Sequence, residues 1–139
     1  MGYTGVSSKS CKGFFKSVIN AARCARGGPQ RRLFLSGEDL TMQAGVGVQQ
    51  DLALVAWLGL AHVERNGHHY VDGMAALPEE EQRNFLRTHP DLYVRSEGAV
   101  RLRIENGQID LGTLGAAAGF GGTGAAGGGI EWDPMRTAW

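Results

Sequence analysis

Two lysines close to the start of the chain are the first residues whose placement could support chemistry. Residues 5–8 are typical of a short strand, and Lys9 follows them directly, with Lys12 three positions later. In parallel α/β folds the carboxyl ends of the strands face the crevice that holds the active site, so a lysine there can act as a general acid or base. The nearby charge of Lys12 favours the neutral, basic form of Lys9. The alternative is that both are solvated side chains in the turn between a strand and a helix.

A pair of adjacent carboxylates is the second candidate. Glu38 and Asp39 follow another short apolar run, residues 33–35. They could bind a cation or orient a base at the same edge of the sheet. Alternatively, Asp39 caps the next turn through its side-chain oxygen.

The segment 62–69 contains the densest group of titratable side chains. In an extended strand His62 and Glu64 share a face, and His68 and His69 lie just past a turn. Zinc deaminases also have a His-x-Glu pair, but they need cysteine ligands downstream, and both cysteines of this chain lie upstream. A metal site formed by the three histidines is an alternative to solvated loop histidines, although it lacks a fourth ligand.

The elements that must position these residues alternate along the first two thirds of the chain. Short apolar runs are followed by helical patterns, which predicts repeated strand-helix units and a parallel sheet. The predicted elements are a strand at 5–8, an amphipathic helix at 14–26, a strand at 33–35, a helix apolar enough to be buried on most sides at 48–60, and a third strand at 61–64.

The pattern changes after residue 76. An acidic start after Pro78 predicts a helix that extends to about residue 88, and the turn Asn106-Gly107 predicts a β-hairpin with residues 100–104 as its first strand. Eight of the 15 residues from 115 to 129 are glycine, which predicts a loop or disorder. The predicted regions are therefore 1–76 with the strand-helix units, 77–114 with the helix and hairpin, a glycine-rich linker at 115–129, and a tail at 130–139.

The composition excludes several classes of protein. The chain has 139 residues, about the size of one domain, with 14 basic and 14 acidic side chains. A net charge of zero argues against nucleic acid or an anionic membrane as a partner. No stretch has the roughly 20 apolar residues of a membrane span, and no signal peptide is evident. Cys11 and Cys24 do not have the spacing of a disulfide framework, so we expect reduced thiols and a cytoplasmic protein.

The three strand ends, taken together, resemble a known family. The segments 7–13, 36–39 and 62–65, separated by two helices, are similar to barrel strands six, seven and eight of the enolase superfamily, and most similar to its muconate-lactonizing and dipeptide-epimerase subgroup. In that subgroup a lysine ends strand six and a second basic residue follows three positions later, as Lys9 and Lys12 do. A glutamate near the end of strand eight occurs in several members, and Glu64 has that position.

The resemblance implies a fold and an activity. The fold expected is α/β, a partial TIM-type (β/α) barrel of about the last three strand-helix units, followed by a β-hairpin and a Gly-rich tail. The complete enzyme would remove a proton alpha to a carboxylate and stabilise the enolate on magnesium, as a racemase or epimerase, cycloisomerase or dehydratase. Its substrate would be a small carboxylate. The residues predicted in this way are Lys9, Glu38, Asp39 and Glu64 as catalytic groups, and Lys12 and His68 as substrate-binding groups.

Parts of the family's pattern have no counterpart in this sequence. The Lys-x-Lys pair of strand two and the acidic metal ligands of strands three to five are missing, so no metal ligand is predicted here. We therefore expect a carboxy-terminal fragment that is inactive alone and whose partner is a complementing barrel half or a second copy in a homo-oligomer. The alternative is a small independent α/β binding or structural module without catalysis, in which Lys9, Glu64 and the histidines are surface groups.

Overall fold

A computed structural model describes residues 4–8, 13–27, 32–38, 43–65, 67 and 70–119. Over these residues the protein is a mixed α/β structure with two small sheets of two strands each. None of the helices among these residues combines the length and the apolar character needed to cross a bilayer. The elements are β1 (Gly5–Ser8), α1 (Phe14–Arg26), β2 (Phe34–Gly37), α2 (Val46–Trp57), α3 (Glu79–Thr88), β3 (Tyr93–Ser96), β4 (Ala99–Leu102) and α4 (Gly112–Ala116).

The first sheet is parallel, as the sequence predicts. β1 pairs with β2 in a register that places Ser8 beside Gly37. The predicted third strand at 61–64 is reduced to a single parallel bridge between Gly37 and Val63. Two backbone hydrogen bonds hold this bridge: the amide of Gly37 donates to the carbonyl of His62 at 2.8 Å, and the amide of Glu64 donates to the carbonyl of Gly37 at 2.9 Å.

The helix α1 has the predicted bounds, but its apolar face points away from the sheet. Its only buried residue is Ser17, whose hydroxyl accepts a hydrogen bond from Ser8 of β1 at 2.7 Å. Phe15 is 80% exposed and Ile19 is 50% exposed. The amphipathic pattern therefore predicts the helix correctly without predicting which side packs against the strands.

The helix α2 supplies the centre of the hydrophobic core, which confirms that it is buried on most sides. Half of its residues are buried, and among them Val48 and Leu52 contact the second half of the chain. Phe85 of α3 and Tyr93 of β3 meet edge to face with ring centroids 5.7 Å apart. The core consists of Ala44, Val48, Leu52, Val55, Met74, Phe85, Leu92, Tyr93, Val100 and Leu114.

The hairpin lies earlier in the chain than the sequence predicts. β3 and β4 are antiparallel and are joined at Glu97 and Gly98, which have φ of 48° and 84°. Two consecutive positive φ angles suit the right-handed twist of the strands. Asn106 and Gly107 also have positive φ, but only one isolated bridge crosses that turn. The prediction that residues 100–104 form the first strand of a hairpin around Asn106-Gly107 was wrong, because β4 pairs with β3, the strand that precedes it in the sequence.

A buried glutamine joins α3 to the outer edge of β4. Gln82 is 5% exposed. Its Oε1 accepts a hydrogen bond from the amide of Val100 at 3.0 Å, and its Nε2 donates to the carbonyl of Leu77 at 3.0 Å. The carbonyl of Val100 accepts from the amide of Met74 at 2.8 Å. Both backbone groups of Val100 are thereby satisfied in a water-poor position.

The short helix α4 is held by a cluster of polar groups. Thr113 donates its backbone amide (2.7 Å) and its hydroxyl to the carboxylate of Asp91. Because that hydroxyl proton is used, the Thr113 oxygen accepts from Nδ1 of the buried His89 at 2.9 Å. Partial burial opposes ionisation of Asp91, but the hydrogen bonds from Thr113, together with those from the backbone amides of Asp91 and Leu92, outweigh it, and the pKa of Asp91 is lowered. The first two residues of the predicted glycine-rich linker, 115 and 116, belong to α4. Residues 120–129 of that linker lie outside the described residues.

Candidate functional site

One face of the parallel strands packs against the helices. Ser8 reaches Ser17 of α1, as described above. A Cβ atom on Gly37 would lie 3.4 Å from a methyl group of Val55 in α2. Because Ser8 pairs with Gly37 and Gly37 bridges to Val63, these three positions form one row across the strands on the side of the helices.

The opposite face carries polar side chains. Side chains alternate along a strand, so the neighbours of the helix-facing row, Ser7, Ser36 and His62, point the other way. The hydroxyl oxygens of Ser7 and Ser36 are 3.1 Å apart and hydrogen-bonded. Two residues further along their strands, Glu38 and Glu64 have the same orientation as Ser36 and His62.

The two glutamates lie at the carboxyl ends of adjacent parallel segments. The amide of Glu38 donates to the carbonyl of Ser8 at 3.0 Å, and the amide of Glu64 donates to the carbonyl of Gly37 at 2.9 Å. Neighbouring strands in a sheet are about 4.8 Å apart, so the side chains of Glu38 and Glu64 start from backbone positions within reach of a common small ligand. The end of β2 and the segment around Val63 therefore meet at one edge.

An open groove of about 450 Å³ follows these strand ends. Part of its wall comes from Gly107, in the turn that the sequence assigned to a hairpin. We refer to it as the strand-end groove. Its lining residues are Ser7, Ser36, Gly37, Glu38, Ala61, His62, Val63, Glu64 and Gly107.

The groove has the groups for acid-base chemistry and for binding a polar ligand. Carboxylates accept hydrogen bonds and attract cations, an imidazole can donate or accept a proton, and hydroxyl groups do both. Glu38 is half-buried, whereas Glu64 and His62 are exposed. An exposed groove of this kind offers direct access to a small molecule.

The next residue along the chain, Arg65, is directed into the protein. It lines a separate cavity of about 370 Å³ with Arg101. Burial lowers the pKa of Arg65, and the charge of Asp51 counteracts this in part. A Cβ atom on Gly67 would overlap the guanidinium group, so glycine at that position leaves the space that Arg65 occupies. Glu64 and Arg65 are successive residues whose side chains point in opposite directions, Glu64 to the groove and Arg65 to the interior.

The predicted site residues divide into two groups. The structure brings together Glu38 and Glu64, which the sequence placed at the same edge. Lys9, Lys12, Asp39 and His68 lie outside the described residues, and so does His69 of the alternative metal site. Within the part of the chain that the structure describes, no three side chains of histidine, cysteine, aspartate or glutamate are grouped so that they could hold a metal ion.

Sequence reasoning missed the two serines and the contribution of Gly107. A signal for the serines is present: each predicted strand ends with polar residues two positions apart, at 7 and 9, 36 and 38, and 62 and 64. A period of two marks one face of a strand. No local signal reveals Gly107, because its contact with the groove comes from distant parts of the chain.

Comparison of the chain with protein-family models, with curated proteins and with solved structures gives no match. Functional assignment therefore depends on the geometry of the groove and on the chemistry of its residues.

Proposed function

We propose that the strand-end groove is part of an acid-base site of the enolase-superfamily type, to which this chain contributes the last three strand-helix units of the barrel. The observation that carries the proposal is the polar row on the face opposite the helices. In a barrel that face lines the interior, and residues at the carboxyl ends of the strands form the active site. Ser36, Glu38, His62 and Glu64 have this placement.

In this proposal Lys9 is the base. It follows Ser8 directly, at the end of the strand next to β2. Its neutral amine removes the proton alpha to the substrate carboxylate, and the electron pair of the C–H bond moves into the enolate. In this proposal the carboxylates of Glu38 and Glu64 balance the charge of the ammonium ion that results. They also accept hydrogen bonds from hydroxyl or ammonium groups of the substrate.

Magnesium, which the enolase-type reaction uses, does not fit the described residues. No group of three suitable ligands is present among them. A bound magnesium ion would stabilise the charge of an enolate as a Lewis acid, and the described residues alone do not supply a site for it. We therefore propose that the chain is inactive alone and that a complementing barrel half supplies the ligands.

The proposal is tested first by ligand binding. Amide resonances of the ¹⁵N-labelled chain are followed during titration with α-hydroxycarboxylates and N-acyl amino acids. We expect shifts at Ser7, Ser36 and His62, and their loss in Lys9→Ala. The matched control is Lys16→Ala, an exposed lysine on α1 that does not line the groove. Shifts confined to other surfaces, or equal binding by Lys9→Ala, would support the non-catalytic module instead.

A second experiment tests the inactivity of the isolated chain. Exchange of the alpha proton of the same compounds is measured by NMR in deuterated water with magnesium. We expect no exchange above the uncatalysed rate. If the isolated wild-type chain catalyses exchange and Lys9→Ala does not, Lys9 remains the proposed base, but the need for a second barrel half is refuted.

A further inference from the structure

The exposed face of α1 is an interaction surface that the strand-end groove does not use. At about 100° per residue, Phe15, Ile19 and Arg26 lie within roughly 20° of the direction opposite Ser17. Since Ser17 faces β1, additional strands beside this sheet would not cover them. This surface therefore requires an explanation that is independent of the proposed function.

The surface is aromatic and extends to α2. Phe14 contacts Phe15 edge to face, with centroids 6.0 Å apart, and stacks on Trp57 at 5.9 Å. Trp57 is 66% exposed. We call Phe14, Phe15, Ile19 and Trp57 the aromatic patch. Large apolar side chains that project together into water mark a site of association.

The charged side chains of α1 are all positive. Lys16, Arg23 and Arg26 are exposed on α1, and the helix has no acidic residue. The same bias extends beyond the helix: residues 1–37 contain seven lysines and arginines and no aspartate or glutamate, and all 14 acidic residues follow. The net charge of zero is thus the sum of a basic amino-terminal part and an acidic remainder.

Self-association through this face is unfavourable. A twofold axis brings the same surface of two copies together, so the three cations of one α1 would face the same cations of the other with no acid between them. An occupant that bears negative charge and accepts projecting aromatic side chains satisfies both features.

We propose that α1 and the aromatic patch bind peripherally to an anionic membrane surface. Amphipathic helices that lie in the interface combine lysines and arginines with phenylalanine, tryptophan and other bulky apolar residues, as this face does. Phe15 and Ile19 enter the boundary between headgroups and acyl chains, and the stems of Lys16 and Arg23 extend along it to anionic headgroups. The projecting side chains of the aromatic patch can enter a deformable lipid surface, whereas a protein partner would need a preformed pocket to receive them. This binding differs from spanning the bilayer.

The test uses the full chain with Trp132→Phe and Trp139→Phe, so that Trp57 is the only tryptophan. Vesicles are phosphatidylcholine alone or phosphatidylcholine with about one third phosphatidylglycerol. We expect flotation with the anionic vesicles only, release by salt, and a blue shift of Trp57 emission on binding. Trp57 emission typical of a buried indole without vesicles would mean that another segment or a second copy covers the patch, and would overturn the proposal.

Variants separate the two components of binding. Phe15→Ser with Ile19→Ser should abolish flotation, and Arg23→Glu with Arg26→Glu should reduce partitioning at least about thirtyfold. The matched controls are Tyr70→Ser, an exposed aromatic residue elsewhere, and Arg83→Glu with Arg87→Glu, which changes the net charge equally on α3. Binding retained by the α1 variants, or lost equally in the controls, would refute the proposal, and so would equal binding to neutral vesicles.

Discussion

Replacing Gln82 with leucine tests whether the polar link between α3 and β4 stabilises the fold. Leucine is of similar size, so the main effect is the loss of two hydrogen bonds, from the Val100 amide and to the Leu77 carbonyl. An unsatisfied buried donor costs about 1–3 kcal/mol. The Leu77 carbonyl is partly accessible to water and adds less. We expect Gln82→Leu to lower the free energy of unfolding by about 2–3 kcal/mol, a large part of the 5–15 kcal/mol typical of a domain.

The measurement is urea unfolding followed by far-UV circular dichroism, with native-state hydrogen exchange of the Val100 amide. The matched control is Gln50→Leu, an exposed glutamine on α2, which should change stability by less than about 0.5 kcal/mol. A loss of less than about 0.5 kcal/mol in Gln82→Leu with an unchanged m-value would refute the reasoning.

Gln82→Glu tests the direction in which the stability of a variant at this position changes with pH. Its carboxylate still accepts from the Val100 amide but faces the Leu77 carbonyl without a proton to donate. Burial and that carbonyl should raise the folded-state pKa above the usual value of about 4.3, so the variant should regain stability relative to wild type as the pH falls through the folded-state pKa. Stability that falls in parallel with wild type across this range would contradict the geometry.

Two further predictions concern the second half of the chain. Thr113→Val removes the two hydrogen bonds of the hydroxyl group, with His89 and with Asp91, but keeps the one from the backbone amide to Asp91, and it should cost about 1–2 kcal/mol in urea unfolding. Because hydrogen bonds from Thr113 lower the pKa of Asp91, the stability they contribute is complete above the ordinary pKa of 3.8 and is lost as the pH falls through the folded-state pKa. The difference in free energy of unfolding between wild type and variant should therefore shrink as the pH falls through that range. A difference that does not depend on pH would exclude this account. Gly73→Ala combines a φ of 55° with a Cβ atom 2.5 Å from a carbonyl oxygen of β4, so it should lower the melting temperature much more than Gly98→Ala, where φ is also positive but the space is open. Equal losses in the two variants would show that the close approach is relieved without cost.

The sequence predicts the elements of the first half well because their patterns are local. Apolar spacing predicts α1 with its observed bounds, and the uninterrupted apolar run predicts a buried α2. The direction in which α1 faces is not local, since it depends on the contact between Ser8 and Ser17. The extent of the third strand is not local either, since it depends on pairing with β2, which is limited to the bridge between Gly37 and Val63.

The hairpin shows how two turn signals compete. Asn106-Gly107 is the stronger pattern by residue type, and it does adopt positive φ angles. Glu97-Gly98 forms the paired hairpin because the strands on either side of it also bury residues, Tyr93 and Val100, in the core. The strength of a turn motif alone does not decide which strands pair.

The candidate site was predictable to the extent that strand ends share an edge. That rule placed Glu38 and Glu64 together, and the bridge between Gly37 and Val63 brings them there. Composition was less informative about surfaces. A net charge summed over the chain conceals the acid-free segment 1–37, on which the proposed contact with an anionic surface rests.

The wall that Gly107 adds to the strand-end groove has a consequence for the order of folding. Ser7 and Gly107 border the same groove although 100 positions separate them in the sequence. Contacts of such long range close large loops, and they form late because the entropy of closure must be overcome first. The hairpin and α1 can form from neighbouring residues, whereas the groove is complete only when the segments around Ser7 and Gly107 have met. During synthesis, the groove should therefore be complete only after the turn at Asn106-Gly107 has left the ribosome.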